Sequence, residues 1–271
     1  MPELPEVETS RRGIKPYLEG ESIDLLLVRQ PQLRWPIPSN LPELLKGKTI
    51  LSVRRRAKYL LIDTTAGSVI LHLGMSGSLC MVDKNDPAGK HDHLDLILQN
   101  GATLRFTDPR RFGAVLWGGS NPLSHPLLAD LGPEPLSADL TTNYLYRKSR
   151  GRKITIKQLI MQGNIIAGIG NIYACEALFW AGILPSHPAG SLSLQHYERL
   201  ILAIREVLAE AIAQGGTTLR DFVNAQGRPG YFKQKLQVYG RSSMPCIQCA
   251  KPLKVIRLGQ RATFFCSNCQ R

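Results

Sequence analysis

The residues best suited to chemistry stand at the two ends of the chain. It begins Met1-Pro2-Glu3-Leu4-Pro5-Glu6, and an initiator methionine before a small residue is commonly trimmed, which would leave proline at the N-terminus. An α-amino group has a reference pKa of about 7.7 to 8.0 against about 10.4 for lysine, so roughly a tenth of it is neutral and nucleophilic at pH 7. Such an amine can attack a sugar or aldehyde carbon and form an iminium, a covalent intermediate that divides one hard step into two easier ones. Taken alone, Pro2 and Pro5 are read as a mere lead-in to a helix; the rest of the chain reverses that reading. At the other end, Cys246-x2-Cys249-x16-Cys266-x2-Cys269 has the spacing of a zinc site. Four thiolates close a tetrahedral structural site with no open position for catalysis. Two disulfides are the alternative, disfavoured in a cytosolic chain without a secretory signal. Cys80 and Cys175 stand alone in the sequence and are expected to be buried thiols.

The intervening sequence has to place these ends. From Pro5 to about Leu18 the pattern is helical, with Glu6 and Glu8 at the positive end of the dipole and Val7, Ile14 and Leu18 on one face. Pro16 leaves its end open. Seven β-rich runs follow, at Ile23 to Val28, Ile50 to Arg54, Tyr59 to Asp63, Ser68 to Leu73, Leu94 to Leu98, Thr103 to Thr107 and Ala114 to Trp117. Their turn-rich spacing predicts an antiparallel sandwich or barrel. Gly118 to Ser137 is rich in Pro, Gly and Ser and is expected to be a linker. Beyond it the period becomes helical: Leu194, Tyr197, Ile201, Ile204, Leu208 and Ile212 form a stripe that stops at Gly215-Gly216. A shorter helix is expected after Gly168-Ile169-Gly170, with Asn171 as its N-cap. Between the cysteine pairs, Val255 to Leu258 and Thr263 to Phe265 predict a β-hairpin with Arg261 near its tip.

At 271 residues the chain has room for two or three domains, and 43% hydrophobic residues exclude a disordered protein. Lys and Arg outnumber Asp and Glu by 34 to 21, a formal charge of +13. So basic a balance points to nucleic acid or an anionic membrane surface. The apolar runs fall far short of the roughly 20 residues of a spanning helix, so nucleic acid is the expected partner, with no membrane role, and the cytosol the expected compartment.

Taken together, the motifs resemble the bacterial formamidopyrimidine-DNA glycosylases over essentially the whole length. The resemblance rests on Pro2-Glu3-Leu4-Pro5-Glu6-Val7-Glu8-Thr9, Arg56-Ala57-Lys58-Tyr59-Leu60, His72-Leu73-Gly74-Met75-Ser76-Gly77, Asp108-Pro109-Arg110-Arg111-Phe112-Gly113, Gly168-Ile169-Gly170-Asn171-Ile172-Tyr173 and the four-cysteine module with Gln260-Arg261-Ala262-Thr263. It implies an α+β protein: an N-terminal antiparallel β-sandwich flanked by helices (1–135), a helix-two-turn-helix DNA-binding domain (136–236) and a C-terminal four-cysteine zinc-finger hairpin (237–271). DNA would lie in the cleft between them. The implied activity is base-excision repair, the removal of 8-oxoguanine and ring-opened purines from double-stranded DNA followed by strand cleavage. One structural zinc and no catalytic metal or organic cofactor are implied, in a monomer associated with the bacterial nucleoid.

By the same resemblance Pro2 is the nucleophile and Glu3 the acid/base carboxylate at the sugar. Glu6 is expected to tie the N-terminus in place. Lys58 follows the run Arg54-Arg55-Arg56, by itself an ordinary solvated basic strand; the family places it in the active site, on a phosphate and assisting β-elimination. Arg261 corresponds to an arginine that clamps the phosphates flanking the lesion, acting through its fixed charge because a guanidinium keeps its proton. Asn171, Lys153, His72 and His91 are the further expected DNA contacts, Asn171 also through the amide groups of its helix N-terminus. Met75, Arg110 and Phe112 match a triad that fills the gap left by a flipped nucleotide, although Met75 and Phe112 alone would suit a core. Arg110 would meet N3 and O2 of an orphaned cytosine, both acceptors, so lesions opposite cytosine are expected to be preferred. Gly215 to Tyr231 corresponds to the loop that closes over the extruded base.

Two rivals remain at this level. An endonuclease VIII-like glycosylase for oxidised pyrimidines commonly has glycine at the position of Leu4. A non-catalytic zinc DNA-binding protein would account for the charge and the cysteines but not for Pro2-Glu3 with Lys58. A chain that retains Met1, or carries one residue inserted before Pro2, is expected to bind lesion DNA and to lose strand cleavage. Full cleavage by that variant, measured on an abasic duplex, refutes Pro2 as the nucleophile.

Overall fold

The structure is a computed structural model that describes residues 2–216 and 235–271. Most of the Gly-rich segment expected to close over a base lies outside the described residues. The chain divides into two compact units, one of residues 1–130 with 214–231 and one of residues 131–213 with 232–271.

The first unit opens with α1 (Leu4–Leu18), followed by β1 (Ile23–Val28), α2 (Leu41–Leu45), β2 (Ile50–Arg56), β3 (Tyr59–Thr64), β4 (Gly67–His72), β5 (Ser78–Asp83), β6 (Asp92–Leu98), β7 (Ala102–Thr107), β8 (Ala114–Gly119) and the single turn α3 (Pro126–Ala129). Two four-stranded antiparallel sheets result, ordered β1-β6-β7-β5 and β2-β3-β4-β8. They share no strand, which makes the fold a sandwich rather than a barrel. Leu60, Ile62, Val69, Leu71 and Val115 from one sheet meet Leu94, Leu96, Leu104 and Phe106 from the other in one buried cluster. The seven expected strands form with ends shifted by up to two residues. The eighth, β5, lies in a stretch with little period-2 alternation, and it pairs with β7 alone. Cys80 on β5 is half-buried, contrary to expectation, while Cys175 is buried as expected. On β6 and β7, Asp95 faces Arg105 in register and accepts two hydrogen bonds from its guanidinium at 2.9 Å, so this buried charge is paired.

The second unit holds α4 (Thr142–Ser149), α5 (Ile156–Ile160), α6 (Asn171–Trp180), α7 (Leu194–Ala213), β9 (Lys254–Leu258) and β10 (Arg261–Phe265). Helix α7 buries the expected stripe except Leu194, which is exposed in its first turn. The stretch expected to be a linker contains the last residues of β8, α3 and the boundary between the units. Among the described residues no helix is long and apolar enough to cross a membrane.

Helix α1 packs on β2, β3 and β5. It continues past Pro16 because Leu18, fully buried, anchors its last turn in the core. One polar tie to the sheet is Glu8, whose carboxylate accepts from Arg11 at 2.8 and 3.0 Å, Arg12 at 2.9 Å and Arg55 of β2 at 3.1 Å. Burial would raise the Glu8 pKa, but the guanidinium hydrogen bonds and charges outweigh it and bring it down to about 2 from 4.5. Its contribution to stability is therefore complete above about pH 4.5 and lost as pH falls toward 2. Glu8→Gln is expected to cost about 1–2 kcal/mol near neutrality, the full linkage value being discounted for solvent screening. Urea unfolding from pH 7 to 2.5 should show this difference shrinking below pH 4.5; a constant difference refutes the assignment.

Candidate functional site

In the first unit the site is built on the start of α1. Pro2 and Glu3 are buried, and Glu3 is the helix N-cap in extended conformation. The Glu6 carboxylate accepts from the Glu3 N–H at 2.8 Å, and the Glu3 carbonyl accepts from Val7 N–H at 3.1 Å. The expectation that Glu6 ties down the N-terminus therefore holds, by the reciprocal arm of a capping box. Lys58 is half-buried in the two-residue turn between Arg56 of β2 and Tyr59 of β3, the strands on which α1 packs.

His72 ends β4 directly opposite Tyr59, their rings 4.8 Å apart. Burial, aided by the positive charges of Lys58 and Arg34 and opposed by the negative charge of Asp108, brings its pKa down to about 4. The ring is thus neutral at pH 7. Its Nδ1 accepts from Gly74 N–H at 3.0 Å, so the proton sits on Nε2, leaving that nitrogen as an uncharged donor.

The loops that follow β4 and β7 are held together by one carboxylate. Asp108 is fully buried; its Oδ1 accepts from Ser76 Oγ at 2.7 Å and its Oδ2 from Gly113 N–H at 2.7 Å. Ser76 Oγ in turn accepts from Arg110 N–H at 3.3 Å. At Gly74, with φ +66°, an added Cβ would lie 2.4 Å from Gly113 N, so the two backbones touch where a side chain cannot fit. With their backbones pinned inward, Met75 and Phe112 are 37% and 44% exposed, against the packing their apolar character suggested. The Arg110 guanidinium lies 4.9 Å above the Phe112 ring. Together with His72, Arg34 and Gln32 these residues line a hollow of about 630 Å³. His91 lies in a second hollow with Lys90 and His93, and Arg111 borders both.

Arg34 is a functional candidate that the motifs missed. Its backbone N–H donates to Gly113 O at 3.1 Å and its guanidinium rests 4.6 Å over the Trp35 ring. A basic residue beside an exposed-loop tryptophan was the available signal.

In the second unit Asn171 does not cap α6; Gly170 occupies the N-cap position and Asn171 is the first helical residue. Its side chain turns instead to the hairpin, donating to Ala262 O at 2.9 Å and accepting from Lys157 Nζ. Lys157, buried and unmarked by any motif, also donates to Thr263 Oγ1 at 2.7 Å and Ala262 O at 3.2 Å. One ammonium thereby joins α5, α6 and β10. Gly259 and Gln260, both with positive φ, form the two-residue turn of the β9–β10 hairpin, and Arg261 is exposed directly after it, as expected. Lys153 is exposed in the loop before α5, outside this network.

The four cysteine Sγ atoms of the terminal module lie within 4.8 Å of one another. Cys246 and Cys269 are 3.9 Å apart, Cys249 and Cys266 3.5 Å. These are not the roughly 2.05 Å of a disulfide; they approach the ~3.8 Å edge of a tetrahedron with about 2.3 Å zinc–sulfur bonds. The thiolates fit one structural zinc. Glu176 of α6, buried and unforeseen, braces the module's lead-in by accepting from the N–H groups of Gln237, Val238 and Tyr239 at 2.8, 3.0 and 2.8 Å.

Comparison with known proteins accounts for nearly the whole chain. Residues 1–115 match the formamidopyrimidine-DNA glycosylase N-terminal domain, residues 131–223 the H2TH domain of the same enzymes, and residues 244–271 the zinc finger found in FPG and IleRS. The chain is 57% identical over 271 residues to formamidopyrimidine-DNA glycosylase of Stutzerimonas stutzeri, covering 100% of both. It is 55% identical over 270 residues to that of Geotalea uraniireducens, again with full coverage of both. Among solved structures, the MutM (FPG) protein of Thermus thermophilus is similar at 38% identity and a TM-score of 0.89, over 99% of this chain and 98% of that one. A Lactococcus lactis FPG solved with abasic-site DNA is similar at 32% identity and a TM-score of 0.92, covering 100% of both. A full-length match of this strength, carried by all three segments in order, leaves one assignment: the chain belongs to the formamidopyrimidine-DNA glycosylase family.

Proposed function

We propose that the chain is a bifunctional DNA glycosylase and AP lyase that removes 8-oxoguanine and formamidopyrimidines from duplex DNA. The observation that supports this reading is the 57% identity, end to end, with a formamidopyrimidine-DNA glycosylase. A variant of the Lactococcus lactis relative was solved with Fapy-dG DNA.

In this reading Met1 is removed and the Pro2 amine attacks C1′ of the damaged nucleotide. The new N–C1′ bond forms as the glycosidic bond breaks and the base departs with its electron pair. Proline's nitrogen then loses its proton, and Glu3 donates one to the sugar ring oxygen as the ring opens to a cationic iminium. That cation acidifies the C2′ proton; its loss expels the 3′ phosphate, and a second, δ-elimination expels the 5′ phosphate. Lys58 contacts a phosphate and assists the first elimination, and Arg261 stabilises the phosphates by its charge. Asn171, Lys153, His91 and the Nε2–H of His72 hold the DNA backbone. Met75 and Phe112 fill the gap in the stack, and Arg110 donates to the orphaned base. The three functional parts are 1–135, 136–236 and 237–271, and the protein acts as a cytoplasmic, nucleoid-associated monomer.

Borohydride reduction on a duplex with 8-oxoguanine opposite cytosine is expected to give a covalent protein–DNA adduct, and its absence with mature protein overturns the enzyme reading. A parallel duplex with an oxidised pyrimidine should react more slowly; faster reaction there favours the endonuclease VIII-like alternative. Arg110→Ala is expected to reduce the rate of base release opposite cytosine by about 10- to 100-fold, equivalent to about 1–3 kcal/mol for a bidentate base contact. It should also narrow the cytosine-over-adenine preference in single-turnover kinetics. An unchanged preference would remove Arg110 from base recognition.

A further inference from the structure

The two-residue turn that carries Lys58 is in a conformation its sequence does not favour. Ala57 has φ +52° and is 2% exposed; a residue with a Cβ enters this left-handed region only when its surroundings hold it there. One group that holds it there is the Arg55 guanidinium. Its Nη1 donates to the Ala57 carbonyl at 3.0 Å, and its Nε donates to Glu8 Oε2 at 3.1 Å. Glu8 is itself gripped by Arg11 and Arg12 on α1, and Arg11 donates to Val53 O of β2 at 3.3 Å. A short ionic chain therefore runs from the helix that begins directly after Pro2 and Glu3 to the peptide immediately before Lys58. Nearly all of the Arg55 side chain is buried, 13% remaining exposed, so it is not available as a DNA contact of the kind its neighbour Arg54 could make at 47% exposure.

We propose that Arg55 is a positioning residue for strand cleavage: bridging Glu8 and the Ala57 carbonyl, it locks the strained turn and fixes where the Lys58 ammonium stands relative to the N-terminal amine. A lysine at position 55 could neutralise Glu8 but lacks the planar fork that reaches two acceptors in fixed directions. Small displacements of a catalytic group far exceed their size in effect, since about 1 Å can cost on the order of a hundredfold in rate. The inference rests on the reading of Lys58 as a participant in β-elimination.

The test is a double-mutant cycle on the mature, zinc-loaded protein. Single-turnover cleavage of a preformed abasic duplex is measured for Arg55→Ala, Lys58→Ala and the double variant, with DNA affinity measured in parallel. Arg55→Ala is expected to slow elimination about 10- to 100-fold while the Kd changes less than about threefold. The double variant should be no slower than Lys58→Ala alone, because a residue that acts through Lys58 has nothing left to position. Ala57→Gly placed in the Arg55→Ala background should restore part of the rate, since glycine adopts positive φ without strain. Should Arg55→Ala fail to fold, Glu8→Gln severs the other end of the chain and is expected to show the same non-additivity with Lys58→Ala. If Lys58→Ala leaves elimination intact, the reading of Lys58 fails. If Lys58→Ala slows elimination but Arg55→Ala does not, or if the two losses multiply, the positioning role of Arg55 is overturned.

Discussion

A chain terminus is the most mobile part of most proteins, and one held in place, as Pro2 and Glu3 are by burial, has to overcome that mobility. Here the burden falls on the Glu8 carboxylate, one turn beyond the N-cap, among three guanidinium groups from its own helix and the adjoining sheet. A buried carboxylate without partners would be strongly unfavourable; with three cations it becomes a cross-link between α1 and β2. The apolar face of α1 supplies attraction but no direction. The ion pairs and the Glu6 to Glu3 hydrogen bond supply direction, and the position of Pro2 follows from them.

The same solution recurs at two other places. Asp108 is a buried anion whose ligands are a hydroxyl and a backbone N–H from two loops, and its consequence is that Met75, Arg110 and Phe112 face outward together. Lys157 is a buried cation with three acceptors on α6 and β10, and it keeps Asn171 and the base of the Arg261 hairpin as one body. Each hub hydrogen-bonds to the elements it joins. Hydrogen bonds are electrostatically stronger in a low-dielectric interior than in water, so such hubs hold the loops and helices they join in fixed positions.

The apolar residues presented to solvent become intelligible in this frame. Surfaces usually tolerate scattered hydrophobic side chains, but Met75 and Phe112 stand beside each other's loops around one hollow, with an arginine stacked on the aromatic ring. Their exposure is imposed by glycines that let backbones touch, at Gly74 and Gly113, where any Cβ would collide. His72, with its proton on Nε2, stays uncharged across the physiological pH range.

Local sequence was enough to establish most of the strands, α1, α7, the zinc hairpin and its cysteines, because period, turn residues and ligand spacing are properties of neighbouring residues. The six motifs were likewise sufficient to establish the family and to nominate the candidate residues. Strand β5 escaped because it alternates weakly and pairs with one neighbour. Asn171 was misread as a cap because an asparagine before a helical stretch has the right type, whereas its actual donor and acceptor lie 14 and 91 residues away. Arg55, Asp108 and Lys157 look like ordinary charged residues in the sequence. Only tertiary structure decided that they are buried, paired and placed between elements, since burial and the partners that make a buried charge tolerable come from segments far apart in the chain.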